Sequence, residues 1–324
     1  MKMFFMLLAL MFGLLAILMI MSLPSFFKDM QEARTKQESF KSKIIKTPLG
    51  SIEYAIEGEG EPILVIHGVT GGYDQSLQAT IPFIDNHKII APSRFGYQHS
   101  SLQKDASPEA QADAYATLLD SLGISKVTIL GMSAGGPSTL QFVIRHPERV
   151  KAMILLVPLA YTPETINDMQ KVSFSFIAST ALRSDYLLWL TTKLNRKTIL
   201  KTMGIPVDIQ KTLTVEEQYE FIDWLFPLKS RVKGIMNDSK IATNLQPVPL
   251  YDITAPTLII TAQDDPWRTY PGSLYTARRV QKAELKVFEQ GGHLFNGKEE
   301  EVKNTLAAFL HKVYSSKVES VTVH

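Results

Sequence analysis

The chain has 324 residues, 45% of them hydrophobic, enough for one large domain or two small ones with a sizeable core. Net charge is +2 with dispersed basic residues, so no nucleic-acid surface is indicated, and the lack of cysteine excludes disulfides, thiol catalysis and cysteine-ligated metal. The seven histidines form no His-x-x-x-His or His-Glu-x-x-His pair, which argues against a zinc hydrolase.

Residues 3–21 carry no charge and, as a helix, would rise roughly 28 Å, about the thickness of a bilayer's hydrocarbon core. A cleaved signal peptide has a shorter apolar stretch and a small-x-small cleavage site; none occurs from Met19 to Ser25. The segment 1–23 therefore reads as a membrane anchor, with secretion the outcome if it is cleaved. Lys2 on one flank against Lys28, Arg34 and Lys36 on the other favours the cytoplasmic side for the downstream domain. Residues 24–43 are polar and of mixed charge, a juxtamembrane linker that is helical in one reading.

From Ile44 the pattern changes to strands. Ile44 to Thr47 and Ile52 to Ile56 flank the turn Pro48-Leu-Gly50, and Pro62 to Ile66 is an apolar run expected of a strand buried on both faces. That strand enters His67-Gly68-Val69-Thr70-Gly71-Gly72. A glycine-rich loop can turn backbone N–H groups toward a ligand, and Val69 N–H is the natural oxyanion donor, although the loop also serves as a plain turn. His67 reads better as a structural histidine than as a base. Lys88 to Pro92 is the next strand, and a helix with Ser107 as N-cap and Pro108 first runs to Leu122, ended by Gly123.

Lys126 to Leu130 is a strand that stops at Gly131-x-Ser133-x-Gly135, the nucleophile elbow pattern. A sharp strand-to-helix corner pushes the Ser133 hydroxyl above the sheet and leaves no room for side chains two positions before and after. The same corner points the Ala134 N–H at the place an oxyanion would form. Pro137 to Ile144 is the helix leaving the elbow, and Lys151 to Val157 another buried strand. Strands alternating with helices specify a parallel sheet covered on both faces.

The alternation breaks over 158–252, a mainly helical insert with aromatics at Phe174, Phe176, Tyr186, Trp189, Tyr219, Phe221, Trp224 and Phe226. These build the insert's own core, and some would line an apolar pocket if it caps the strand ends. Strands resume at Ala255 to Thr261, leading into Asp264-Asp265, and at Leu285 to Phe288, leading into Gly291-Gly292-His293. A helix is expected near Ser273 to Gln281 and another over Glu299 to Val313. The tail 315–324 reads as frayed.

A serine hydroxyl needs a near-neutral base, and the base needs an anion to fix its tautomer. Ser133, then an acid, then His293 each follow a strand, so they can converge on one sheet edge. From the residues alone, His293 is a base or a loop histidine, and the acid is Asp265 or its neighbour Asp264.

The chain from about residue 44 to 314 resembles an α/β-hydrolase fold protein with a helical cap after the sixth strand. His67-Gly68, Gly131-x-Ser133-x-Gly135, Asp265 and Gly292-His293 carry the likeness. It implies a catalytic core of 44–157 and 253–314, a cap over 158–252 and a triad of Ser133, Asp265 and His293. In the family pattern the acid is the third residue after a strand-end glycine, here Ala262, which favours Asp265. Ser93 stands where many relatives have aspartate, a departure expected to affect loop bracing. The serine argues against the dehalogenase and epoxide hydrolase branches, which use aspartate. Without Gly-Gly-Pro-Gly or Gly-Gly-Ser-Trp-Gly, proline iminopeptidases are also disfavoured. The implied activity is cofactor-free hydrolysis of a small-molecule or lipid-like carboxylic ester with an apolar group. The alternatives are a carbon–carbon bond hydrolase or perhydrolase using the same triad, and a membrane-tethered binding module that has kept the fold.

Overall fold

The computed structural model describes residues 1–80, 86–163 and 183–315. Phe174 and Phe176 and nearly all of the tail lie outside these. An eight-stranded sheet has the order β1-β2-β4-β3-β5-β6-β7-β8. Its strands are β1 (Lys43–Thr47), β2 (Gly50–Glu57), β3 (Glu61–Ile66), β4 (His87–Pro92), β5 (Val127–Met132), β6 (Val150–Leu156), β7 (Thr257–Ala262) and β8 (Ala283–Phe288). The pairs β1–β2 and β2–β4 are antiparallel, and every pair from β4 to β8 is parallel.

Period-two alternation sends successive strand residues to opposite faces. Leu64 and Ile66 pack with the helix α3 (Pro108–Ser121) and the helix α4 (Gly136–Arg145), whereas Ile63 and Val65 pack with Leu77, Leu306 and Phe309 on the other face. Helix α3 starts as its sequence dictates: the Ser107 hydroxyl accepts the Ala110 N–H at 3.2 Å, with Pro108 in the first turn. Helix α2 (Tyr73–Thr80) has no counterpart in the sequence reading, because its short segment follows Gly71-Gly72 and has no strong apolar stripe. The helix expected near Ser273 to Gln281 instead spans Tyr270–Ala277, with Pro271 in its first turn.

Between β6 and β7 the described residues of the cap are mainly helical and enclose a cluster that includes Trp189, Leu200, Ile222, Phe226 and Ile235. Tyr186, Tyr219 and Phe221 pack against that cluster, so most of the described cap aromatics serve its core. Helix α1 (Lys2–Glu38) runs unbroken through Pro24, so most of the stretch read as a linker is helix. It is long and apolar enough to cross a membrane, with a window of mean hydropathy 2.8, none of it buried. Its second half docks on the cap: Phe26 meets the Tyr186 ring at 5.2 Å and the Trp189 ring at 5.7 Å. The Asp29 carboxylate accepts from Trp189 Nε1 at 2.8 Å and pairs with Lys193 at 3.0 Å.

Candidate active site

The parallel register brings strand ends to one edge. Ile66 pairs with Gly131, Met132 with Leu156, Leu156 with Ile260, and Ala262 with Phe288. Val69, Ser133, Asp265 and His293 each lie a few residues past one of these ends, on the same rim.

At the elbow Ser133 has φ +47°, a conformation that few L-residues adopt. Its flanking glycines answer to close packing. A Cβ on Gly131 would sit 2.2 Å from Thr139 Oγ1, and one on Gly135 would sit 2.7 Å from the His67 carbonyl oxygen. The Ser133 carbonyl accepts the Leu159 N–H at 2.8 Å, tying the corner to the chain leaving β6.

Past β7 and β8, His293 Nδ1 and Asp265 Oδ2 are 2.9 Å apart, and both side chains are buried. Asp265 also accepts the Trp267 N–H at 2.9 Å and the Thr269 hydroxyl. Burial pushes the Asp265 carboxyl up, but the His293 ring, the Thr269 hydroxyl and the Trp267 N–H together outweigh it and hold it below the ordinary range. Asp264 points elsewhere, accepting the Gly292 N–H at 2.9 Å and the Gly291 N–H at 3.1 Å. Thus the two adjacent acids divide: one meets the ring, the other braces the loop that carries it.

Three strand spacings, roughly 14 Å, separate β5 from β8. The cap grips the loop that bears His293. The His293 N–H donates to Gly204 O at 3.0 Å, and Leu294 and Val69 pack against the same cap cluster. Among the described residues no hydrogen bond joins Ser133 Oγ to the His293 ring. Neither the Val69 nor the Ala134 N–H has a hydrogen-bond partner among the described residues, so both are available as donors.

His67 is fully buried, with Nδ1 2.7 Å from Gly68 O and Nε2 2.9 Å from the Arg94 N–H. The Nε2 must accept, so Nδ1 carries the proton and the ring is neutral. Burial, reinforced by the Arg94 charge, holds its pKa well below 6.5. Ser93 Oγ accepts the Tyr73 N–H at 3.1 Å and donates to Gln98, which itself donates to Asp74 at 2.8 Å. The bracing placed in doubt by the missing aspartate is therefore made through Gln98.

Several site neighbours lie outside the motifs that mark the site in the sequence. Trp267, 43% exposed, has its ring centroid 6.5 Å from that of His293. An aromatic directly after Asp-Asp-Pro was the available clue. Two buried ion pairs, Arg94–Asp238 and Arg231–Asp74, both at 2.6 Å, join core to cap. Partners more than 140 residues apart leave no local pattern to read.

A family model for the alpha/beta hydrolase fold matches residues 61–299. The chain belongs to the alpha/beta hydrolase fold family. Within it, an uncharacterized hydrolase, YcgS of Bacillus subtilis, is 38% identical over 106 residues, 33% of this chain and 37% of that protein. The 2-hydroxy-6-oxo-6-phenylhexa-2,4-dienoate hydrolase of Comamonas testosteroni is 24% identical over 269 residues, 79% of this chain and 89% of that one. The solved structure of an alpha/beta hydrolase fold protein from Nakamurella multipartita superposes with a TM-score of 0.63 at 23% identity, covering 83% of this chain and 98% of the other.

Proposed function

We propose that this alpha/beta hydrolase cleaves carboxylic esters bearing an apolar acyl or alcohol group, through an acyl-enzyme on Ser133. The observation that carries the reading is the buried Asp265–His293 pair, 2.9 Å apart, on the rim that also bears the elbow serine. Ser133 Oγ attacks the ester carbonyl as His293 Nε2 takes its proton, and Asp265 keeps the other ring proton on Nδ1. Val69 and Ala134 N–H groups receive the oxyanion. Collapse expels the alcohol with a proton from His293, leaving the acyl group on Ser133. A water deprotonated by the same ring then attacks the acyl carbonyl and releases the acid.

A neutral substrate suits the charge balance, since both guanidiniums that touch the oxyanion loop, Arg94 and Arg231, are already committed to carboxylates. A second reading is supported by the Comamonas relative. The substrate in its name contains a ketone and no ester, so its hydrolysis breaks a carbon–carbon bond. Purified protein assayed on p-nitrophenyl esters of graded chain length and on a 2-hydroxy-6-oxo-dienoate separates the two. The expected result is a kcat/KM at least about 100-fold higher for the best ester, a difference of about 2.7 kcal/mol in transition-state stabilisation. The reverse preference would move the assignment to carbon–carbon cleavage.

The apolar half of α1, exposed along its length, anchors the catalytic core of 44–157 and 253–314 and the cap of 158–252 to a membrane. The protein is expected to sediment with membranes and stay there in high salt. Recovery in the soluble fraction at reduced mass would overturn the anchor in favour of a cleaved segment.

A further inference from the structure

The oxyanion loop is gripped by its carbonyl oxygens. Gly68 O lies 2.7 Å from His67 Nδ1 and 3.0 Å from Arg94 Nη2, and both donate to it. The Gly68 carbonyl and the Val69 N–H belong to one planar trans peptide, so they point in opposite directions. Donors that fix the oxygen therefore fix the aim of the N–H. They also polarise the amide, which makes that N–H a stronger donor. This peptide borders the nucleophile: a Cβ on Gly68 would lie 3.7 Å from Ser133 Oγ.

Arg94 is itself held from the cap. Its two Nη atoms each donate to a different oxygen of Asp238 at 2.6 Å, and the Tyr97 hydroxyl donates to the same carboxylate. Asp238 sits on the cap helix Val232–Thr243. Just before that helix, Arg231 donates to Thr70 O at 2.7 Å and to Asp74 at 2.6 Å, taking a second carbonyl of the same loop. Cap and core thus exchange opposite charges, and each guanidinium ends on an oxyanion-loop carbonyl.

We propose that Asp238 is a positioning residue for the oxyanion hole: by orienting Arg94 on Gly68 O it aims the Val69 N–H at the oxygen that becomes negative on the Ser133 adduct. The inference rests on the serine hydrolase reading. It makes docking of the helix Val232–Thr243 a condition for full transition-state stabilisation, even though Asp238 touches no reacting atom.

Asp238→Asn keeps the size and removes the charge that holds the fork. Loss of a whole oxyanion donor costs about 10²- to 10³-fold in kcat, so a misaimed one should cost about 10- to 100-fold. KM should stay within about threefold, because the ester's ground state does not depend on the hole. An alkyl boronic acid, whose tetrahedral serine adduct places an oxygen in the hole, should lose affinity by a factor similar to that in kcat. Arg94→Lys, whose single ammonium nitrogen cannot reproduce the planar fork on the carboxylate, should behave alike. Leu118→Ala, in the buried face of α3, removes core packing but no hydrogen bond of the Asp238–Arg94–Gly68 chain, and should leave kcat and boronate affinity unchanged. If Asp238→Asn does not fold, Asp238→Glu, which keeps the charge but shifts the guanidinium, is read by the same assays. An active wild type whose folded Asp238 and Arg94 variants match it in kcat and boronate affinity would overturn this inference alone. A wild type with neither ester turnover nor boronate binding would sink the serine hydrolase reading beneath it.

Discussion

Replacing Ser133 with alanine is expected to reduce ester turnover by about 10⁴- to 10⁶-fold in kcat, leaving only the residual rate that binding and an oxyanion hole provide. The loss should be catalytic and not structural. The Ser133 hydroxyl makes no hydrogen bond among the described residues, so its removal leaves no buried partner unsatisfied. Alanine and serine also tolerate φ +47° about equally, and the elbow is fixed by the packing of Gly131 and Gly135. Thermal unfolding of the variant should therefore match wild type to within a degree or two, on the order of 0.5 kcal/mol. A fluorophosphonate probe should label the wild type at Ser133 and leave the variant unlabelled. A tethered binding module would keep its function in the variant, and retention of turnover within about tenfold would remove Ser133 as nucleophile.

The features legible in the sequence are those set by local pattern. Continuous apolar runs marked the buried strands, because a parallel strand covered on both faces has no polar side to show. Gly131 and Gly135 are readable because the sharp corner leaves no room for a side chain there, and in this chain the space is filled by Thr139 and the His67 carbonyl. The N-cap at Ser107 and the stop at Gly123 followed from helix-end chemistry. The features with no local signature depend on tertiary meeting. Nothing near Asp238 marks it as the counter-ion of Arg94, and nothing near Gly204 announces that its carbonyl will take the His293 N–H. The change of composition near Pro24 divides helix α1 in two by sequence, yet docking of Phe26 and Asp29 on the cap favours continuation. Propensity and composition act within a few residues, whereas these contacts are decided by how the cap settles on the sheet.

Asp265→Asn is expected to lower kcat by about 10⁴-fold, and Asp264→Asn by no more than about tenfold, although the two residues are adjacent and both are acids. The difference comes from the partners. Asp265 offers acceptors to three donors: His293 Nδ1 at 2.9 Å, the Trp267 N–H at 2.9 Å and the Thr269 hydroxyl. Asparagine has one oxygen and, with it turned to the Trp267 N–H, sets an amide N–H₂ against the His293 ring. The ring then has to accept at Nδ1 and carry its proton on Nε2, where it cannot receive one from Ser133. At 264, among the described residues, the carboxylate meets only the Gly291 and Gly292 N–H groups, so the amide gives up one loop contact and no tautomer. Stability against pH gives a second readout. The Asp265 pKa is depressed, so its contribution is present above the unfolded-chain value near 3.8 and is lost as pH falls through the lower folded value. The Asp265→Asn variant should be less stable than wild type at neutral pH, and the gap should narrow as pH drops below that value. Equal losses of kcat at 264 and 265 would mean that the acid is shared or misassigned, whatever the distance between Asp265 and His293.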